Sequence, residues 1–286
     1  MKTEAFLVVH AKFSGVSIVQ DLGTAFPQGL DEDRFECRLP WEDERVTLLL
    51  ERLTAHGLKP SGLRPSSPGD YHLAIERTYS RSDFESAAYL TFSSKTLLLN
   101  AIRDLDGVLR VKSDKIKSGM DMASTTRPWI VVSDRVKGLI EREGLIRASF
   151  REIRLDAPGS GSVRRGRHDF WELTSDLILP PMAPPCKFIH ARTGEEVAGD
   201  SDESFVFREG LGIPGFFFLP PEPHYAEADL RSIGPFDLAL TFERISGGYL
   251  GGLPICSQRF HQFCVANRLS QKMYWTPVRL NADEGV

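Results

Sequence analysis

Apolar residues recur along this chain with two different periods. Between 43 and 57, Val46, Leu49, Leu50 and Leu53 fall at the i, i+3, i+4 spacing of one helix face, and Gly57 closes the run. A second helical signal covers 82–90, with Ser82 as the N-cap and Glu85 three residues on, and a third covers 227–233. Strand-like runs lie at 4–9, 71–77, 129–132, 150–155, 203–208, 236–242 and 274–280. This mixture predicts an α+β fold, with mixed or antiparallel sheets and packed helices. Two stretches carry neither period. The first, 59–70, is rich in Pro, Ser and Gly. The second, 157–168, reads Ala-Pro-Gly-Ser-Gly-Ser-Val-Arg-Arg-Gly-Arg-His and predicts a linker or long loop between an N-terminal half, 1–156, and a C-terminal half, 169–286.

Two segments align when one is displaced along the chain. Residues 129–155 and 253–280 match at Ser133 with Ser257, Arg135 with Arg259 and Leu145 with Leu269. After one inserted residue, Arg154-Leu155 also matches Arg279-Leu280. In both, an apolar strand ends at a Ser able to cap a helix. The helices carry the stripes Val136/Leu139/Ile140 and Phe260/Phe263/Cys264, and stop at Gly144 and Asn267, residue types that tolerate a left-handed turn. The expectation is a strand–helix–strand unit used twice, once at the end of each of two related halves.

That overlay bears on the four cysteines. Cys256-x4-His261-x2-Cys264, with Cys186-x3-His190 upstream, has spacings from which zinc ligands are drawn. The overlay instead puts Cys264 at the stripe position of Ile140, Cys256 at the strand-end position of Val132, and His261 at the outward position of Lys137. Buried cysteine behaves as a small hydrophobe, so the expectation is core cysteines, reduced thiols and no metal or cofactor.

Charge and motifs narrow the function. The chain is 41% hydrophobic and 26% charged with a net charge of −4, which fits a globular chain and gives no basic excess for nucleic acid or an anionic membrane. The start, Met1 to His10, lacks the apolar core of a signal peptide, and the richest apolar run, Phe216 to Leu219, stops at Pro220-Pro221, so a cytoplasmic location is expected. There is no nucleophile elbow, no phosphate-binding glycine loop and no His-Glu-x-x-His helix. The acidic runs 31–33, 42–44 and 200–203 are consecutive rather than convergent, and Glu42-Asp43-Glu44 opens a helix, where the dipole favours it. No catalytic residue is assigned. One segment points outward: Gly215 to Tyr225 sets four aromatics among three prolines, and a rigid loop presenting aromatic side chains loses little entropy on docking. The expected partner contacts are Phe216, Phe217, Phe218, His224 and Tyr225, with Tyr225 more exposed than the Phe run.

The run Ile75 to Ala87, the later Ile130-Val131-Val132-Ser133-Asp134-Arg135, and Phe236 to Thr241 with Ser257-Gln258-Arg259-Phe260 resemble a group of bacterial proteins, the double-CXXCG-motif proteins and immunity proteins of polymorphic toxin systems. Members with the motif carry zinc-ribbon-like cysteine pairs between these stretches. Here Ser93 to Thr125 holds no cysteine, so zinc does not carry over. The resemblance implies a non-enzymatic protein-binding protein whose partner is another protein, such as a cognate toxin that it covers; inhibition of that kind needs only a complementary surface. The competing reading is an enzyme of unrecognised type, its polar site assembled by the fold.

Overall fold

The computed structural model describes residues 1–10, 30–31, 34–58, 71–125, 128–156, 163–164, 169–190, 205–209, 222–243 and 252–282, and these build an α+β protein. The described residues group into two compact units, one within Met1–Asp83 and one within Phe84–Gly210 and Glu222–Val286. The stretch 157–168 falls inside the second unit. Its described part, Val163–Arg164, forms a strand; the rest lies outside the described residues. Among the described residues no helix is long and apolar enough to cross a membrane.

The first unit pairs β1 (Lys2–His10), β2 (Leu30–Asp31), β3 (Arg34–Pro40) and β4 (Tyr71–Thr78) in the order β2-β3-β1-β4, every contact antiparallel. Helix α1 (Glu44–Ala55) is capped by Asp43, whose carboxylate accepts the Arg45 N–H at 3.0 Å. Its expected stripe, Val46, Leu49, Leu50 and Leu53, packs on Ala5, Leu7 and Val9 of β1 and on Leu39 and Leu73. Helix α2 (Arg81–Ser86) is shorter than expected. Its capping exchange runs between Ser80 and Asp83, each backbone N–H donating to the other's side chain, so Ser80 takes the place assigned to Ser82.

The second unit holds two main sheets. Its first strand, β5 (Tyr89–Ser94), belongs to the later one. The earlier sheet takes β6 (Leu97–Leu98), β7 (Ile102–Arg103), β8 (Leu109–Lys112), β9 (Met122–Thr125), β10 (Ile130–Ser133), β11 (Ser149–Asp156), β12 (Val163–Arg164) and β13 (Phe170–Thr174), in the order β6-β9-β10-β13-β11-β8-β7 with β12 on β11. Its end strands β6 and β7 are joined by residues 99–101 alone, which holds the two ends within about 15 Å of each other, so the sheet curls. Leu98, Leu109, Val111, Ala123, Trp129, Val131 and Ile153 fill the inside of the curl.

After the β14 (Cys186–His190) and β15 (Phe205–Glu209) hairpin come β16 (His224–Ala226), β17 (Leu238–Leu240), β18 (Pro254–Ser257), β19 (Met273–Pro277) and β20 (Arg279–Asn281). The later sheet has the order β17-β18-β5-β19, and β16 pairs in parallel with β20. The helices are α3 (Asp134–Glu143), α4 (Glu227–Ile233) and α5 (Gln258–Ala266).

The two sheets follow one path. In the first, β10 leads through α3 to β11, both antiparallel to β13, which lies between them; in the second, β18 leads through α5 to β19, both antiparallel to β5. An antiparallel outer strand, β9 or β17, flanks each. The register agrees residue by residue: Ser133 pairs with Phe170 as Ser257 pairs with Tyr89, and Phe150 with Leu173 as Trp275 with Phe92. β13 follows its own strand–helix–strand run along the chain, whereas β5 precedes both runs. Both sheets and both helices close on one core, where Val136 and Ile140 of α3 meet Phe260, Phe263 and Cys264 of α5. Phe92 stacks on Phe260 with ring centroids 5.1 Å apart.

The expected caps are present: Ser133 Oγ accepts from Val136 N–H at 3.3 Å and Ser257 Oγ from Phe260 N–H at 3.2 Å. Gly144 takes the left-handed turn after α3, at φ 64°. After α5 the left-handed residue is Arg268, not Asn267, whose side chain instead donates to the Phe263 carbonyl. Cys256 and Cys264 sit in the core, as the overlay placed them, whereas Leu139 is only partly buried. His261 corrects the helical phase. It is 9% exposed rather than outward, its ring edge-on to Trp275 at 4.7 Å and its Nδ1 at 2.9 Å from Gln258 Oε1, because β19 covers the flank of α5 that the overlay left open.

Candidate functional site

The expected partner contacts divide on inspection. Phe216, Phe217 and Phe218 lie outside the described residues. Tyr225 corrects the expectation of exposure: it is fully buried with Leu179, Leu230 and Phe236, because β16 lies in parallel register on β20. Burial raises its hydroxyl well above the ordinary tyrosine value, with Glu243 and Cys186 adding to the shift. His224 is half-buried, its Nδ1 3.3 Å from Asn281 Oδ1.

A different segment turns apolar side chains outward. From Leu97 to Gly107 the chain alternates between two environments. Leu98 and Ala101 enter the core of the curled sheet, and Arg103 turns inward with them; Leu97, Leu99 and Ile102 remain about half exposed, and Leu105 is fully exposed. Leu105 sits in the turn between β7 and β8. There the Gly107 N–H donates to the Asp104 carbonyl at 2.9 Å, and Gly107 takes a φ of 80° that a residue with a Cβ adopts only under strain. Three ion pairs brace the turn: Arg110 holds Asp104 at 3.4 Å, and Arg154 holds Asp104 at 3.0 Å and Asp106 at 2.6 Å, while Arg110 is itself held by Asp156 of β11 at 2.9 Å. Single exposed pairs of this kind add little stability, but a network on a four-residue turn fixes how that turn is presented.

Behind the turn lies a cavity of about 250 Å³, with Phe92, Trp129 and Leu238 on its apolar side and Arg103, Arg151 and Glu172 on its polar side. Glu172 is 3% exposed. Its Oε1 accepts from Arg103 at 2.5 Å, while Arg103 also donates to the Gly107 carbonyl at 2.6 Å and lies 4.6 Å over the Trp129 ring. The carboxylate is thus locked from one side. Its Oε2 is buried with no hydrogen-bond partner among the described residues. Arg151 is opposite Glu172 in the register, on the exposed rim.

The matching position in the later sheet is occupied differently. There Thr91 takes the place of Glu172, and its cross-strand neighbour Thr276 takes the place of Arg151. The same backbone path is therefore built with a neutral pair, and the buried charge belongs to one sheet alone. The only sequence sign of it was a glutamate inside the aromatic run Phe170-Trp171-Glu172-Leu173; nothing near Arg103 marked it.

A second pair of polar constellations is common to both sheets. Asp121 accepts from Ser133 Oγ at 3.2 Å and from Arg135 at 2.9 and 2.6 Å, and its carbonyl accepts the Ser133 N–H. Asp237 accepts from Ser257 Oγ at 2.6 Å and Arg259 at 2.9 Å, and its carbonyl accepts the Ser257 N–H. Arg259 reaches on to the Glu143 carbonyl at 2.6 Å, at the C-terminus of α3. These groups satisfy one another and tie strand ends to helix starts. Among the described residues, no group of three or more His, Cys, Asp or Glu side chains is placed to hold a metal ion.

No protein-family model matches the chain, and no curated protein matches it in sequence.

Proposed function

We propose that the chain is a non-enzymatic protein-binding protein, of the kind that covers a toxin, and that it makes contact through residues 97–105. The observation that carries the reading is the display of Leu105. A fully exposed leucine on a turn whose backbone is braced by three ion pairs is presented before any partner arrives, so docking orders little of the chain. Leu97, Leu99 and Ile102, each about half exposed, add apolar surface within the same segment, and Arg110 and Arg154 offset two of the three flanking aspartate charges, which suits a partner groove that is mainly apolar. The cavity favours binding over catalysis, because its one buried carboxylate is already committed to Arg103.

The test is a pull-down from the native host, followed by calorimetry of the recovered protein against purified chain. Leu105→Asp should leave the melting temperature within a few degrees and weaken binding by at least ~30-fold, the scale of losing a central anchor. Unchanged affinity in that variant moves the interface elsewhere, and recovery of no protein partner removes the reading.

The related-halves reading of the sequence is part of the proposal. It is supported by the shared strand path, the shared register, and the trios Asp121–Ser133–Arg135 and Asp237–Ser257–Arg259. On this reading the curled extension β6 to β8, which carries both the leucine face and Arg103, is what one half acquired and the other did not.

A further inference from the structure

We infer that the cavity behind the β7–β8 turn is a binding site for a small carboxylate with a flat apolar body of one or two rings, and that Arg151 holds its charge. Both sheets of the second unit line this cavity, the earlier one through Arg151 and Leu173 and the later one through Phe92 and Leu240. An apolar cavity of about 150 Å³ holds benzene, so one of about 250 Å³ has room for a fused pair of rings. The apolar lining is not sealed. Pro128 and Leu240 are half-buried, and a ring laid against them removes from water surface that the folded chain leaves open.

Charge selects the other end of the ligand. Three charged side chains line the cavity: Arg103, Arg151 and Glu172. Two of them neutralise each other, since Glu172 Oε1 accepts from Arg103, which also donates to the Gly107 carbonyl. Arg151 is the surplus. It stands directly across the β11–β13 register from Glu172, yet that carboxylate is held by Arg103, and the exposed Arg151 guanidinium has no ion pair or hydrogen bond among the described residues. The charged lining is therefore positive by one. A cation is repelled there and a neutral ring leaves the guanidinium unused, whereas a carboxylate matches its fork with two parallel N–H donors. Because Arg151 is already in water at the rim, pairing it with a carboxylate avoids the heavy desolvation that a buried cation demands.

2-Naphthoate and 2-naphthamide make the discriminating pair, because they share the ring body and differ in charge. Titrated into the full chain by calorimetry or ligand-observed NMR, 2-naphthoate should bind, and 2-naphthamide should bind at least ~10-fold more weakly, the scale of one charge-assisted contact. Added salt should weaken binding of the acid and leave that of the amide nearly unchanged. Arg151→Gln, which breaks no ion pair of the folded chain, should keep the melting temperature within a few degrees and bring the ratio of the two affinities to about one. Leu240→Trp, at the cavity wall, should abolish binding of both. Leu105→Asp should change neither, which separates this site from the protein-binding surface. Failure of 2-naphthoate to bind the wild-type chain overturns the proposal. So does equal, salt-insensitive binding of the two probes, which means an apolar void only, and so does an unchanged ratio in a folded Arg151→Gln variant or full binding in a folded Leu240→Trp variant.

Discussion

Removing the aspartate from each of the two Asp–Ser–Arg trios should have unequal effects, and the structure sets the size of the difference. The Asp237 side chain is 5% exposed and accepts three donors: Ser257 Oγ, Arg259 and the Ile146 backbone N–H at 2.8 Å. Asp237→Ala leaves the part-buried Ile146 N–H and Ser257 hydroxyl without this acceptor, each in the lower half of the range of about 1–3 kcal/mol, while Arg259, nearly half exposed, turns to water. The expected loss is about 3 kcal/mol. Asp121 is 28% exposed and its Arg135 partner 54%, so Asp121→Ala removes a solvated pair and one hydroxyl contact, about 1 kcal/mol or less. Urea denaturation followed by far-ultraviolet circular dichroism separates the two. With a slope of about 2 kcal/mol per molar, the midpoint should fall by roughly 1.5 M for Asp237→Ala and by under about 0.5 M for Asp121→Ala. Equal losses, or a larger loss at Asp121, would refute the assignment of Asp237 as the buried hub.

Burial holds the His261 imidazole below its ordinary value, with Glu85 acting in the opposite direction. The unfolded chain therefore takes up this proton more readily than the folded one, and stability falls as pH drops through the ordinary histidine value near 6.5. The fall in urea midpoint between pH 7.5 and 5.5 should be smaller in His261→Phe than in wild type; an identical fall would mean that the imidazole is not desolvated. For the cysteines, burial pushes the Cys37 thiol up to about 11 and raises Cys256 and Cys264 as well, whereas Cys186 is only half-buried. A thiol-labelling reagent at pH 8 should modify Cys186 rapidly and the other three only after denaturant is added, as read by mass spectrometry of the labelled peptides. Rapid labelling of Cys256 or Cys264 in the folded chain would contradict their place in the core.

What could be read from the sequence was local. The caps Ser133 and Ser257 and the stripe of α1 follow from spacings within a single turn or two, and they stand where expected. Strands β5 and β13 escaped because each is short and because neighbouring positions are buried on both faces, so the burial does not follow the polar alternation of their sequences. The aspartates of the two trios escaped for a geometric reason. Asp121 precedes its serine by 12 residues and Asp237 by 20, so a fixed displacement that aligns the serines cannot align the aspartates. His261 was misjudged because helical phase tells which residues share a face but not how many sides of a helix are covered.

The distant central strand of the later sheet also governs the order in which the chain becomes a protein. Thr91 of β5 finds its first partner in the later sheet at Ile255, and Phe92 finds its second at Trp275. At about 5–20 residues per second of synthesis, β5 leaves the ribosome roughly 8–30 s before β18 exists to pair with it. During that interval a strand rich in apolar side chains has both edges open, the condition under which strands pair with the wrong neighbour. The earlier sheet has all its strands within one continuous stretch, 97–174, whereas the later one joins β5 to strands that begin at 238; cutting the chain between 157 and 168 would still deprive both of their middle strand at once. The later sheet must therefore close late, through contacts of long sequence separation, which is the slow end of the folding range.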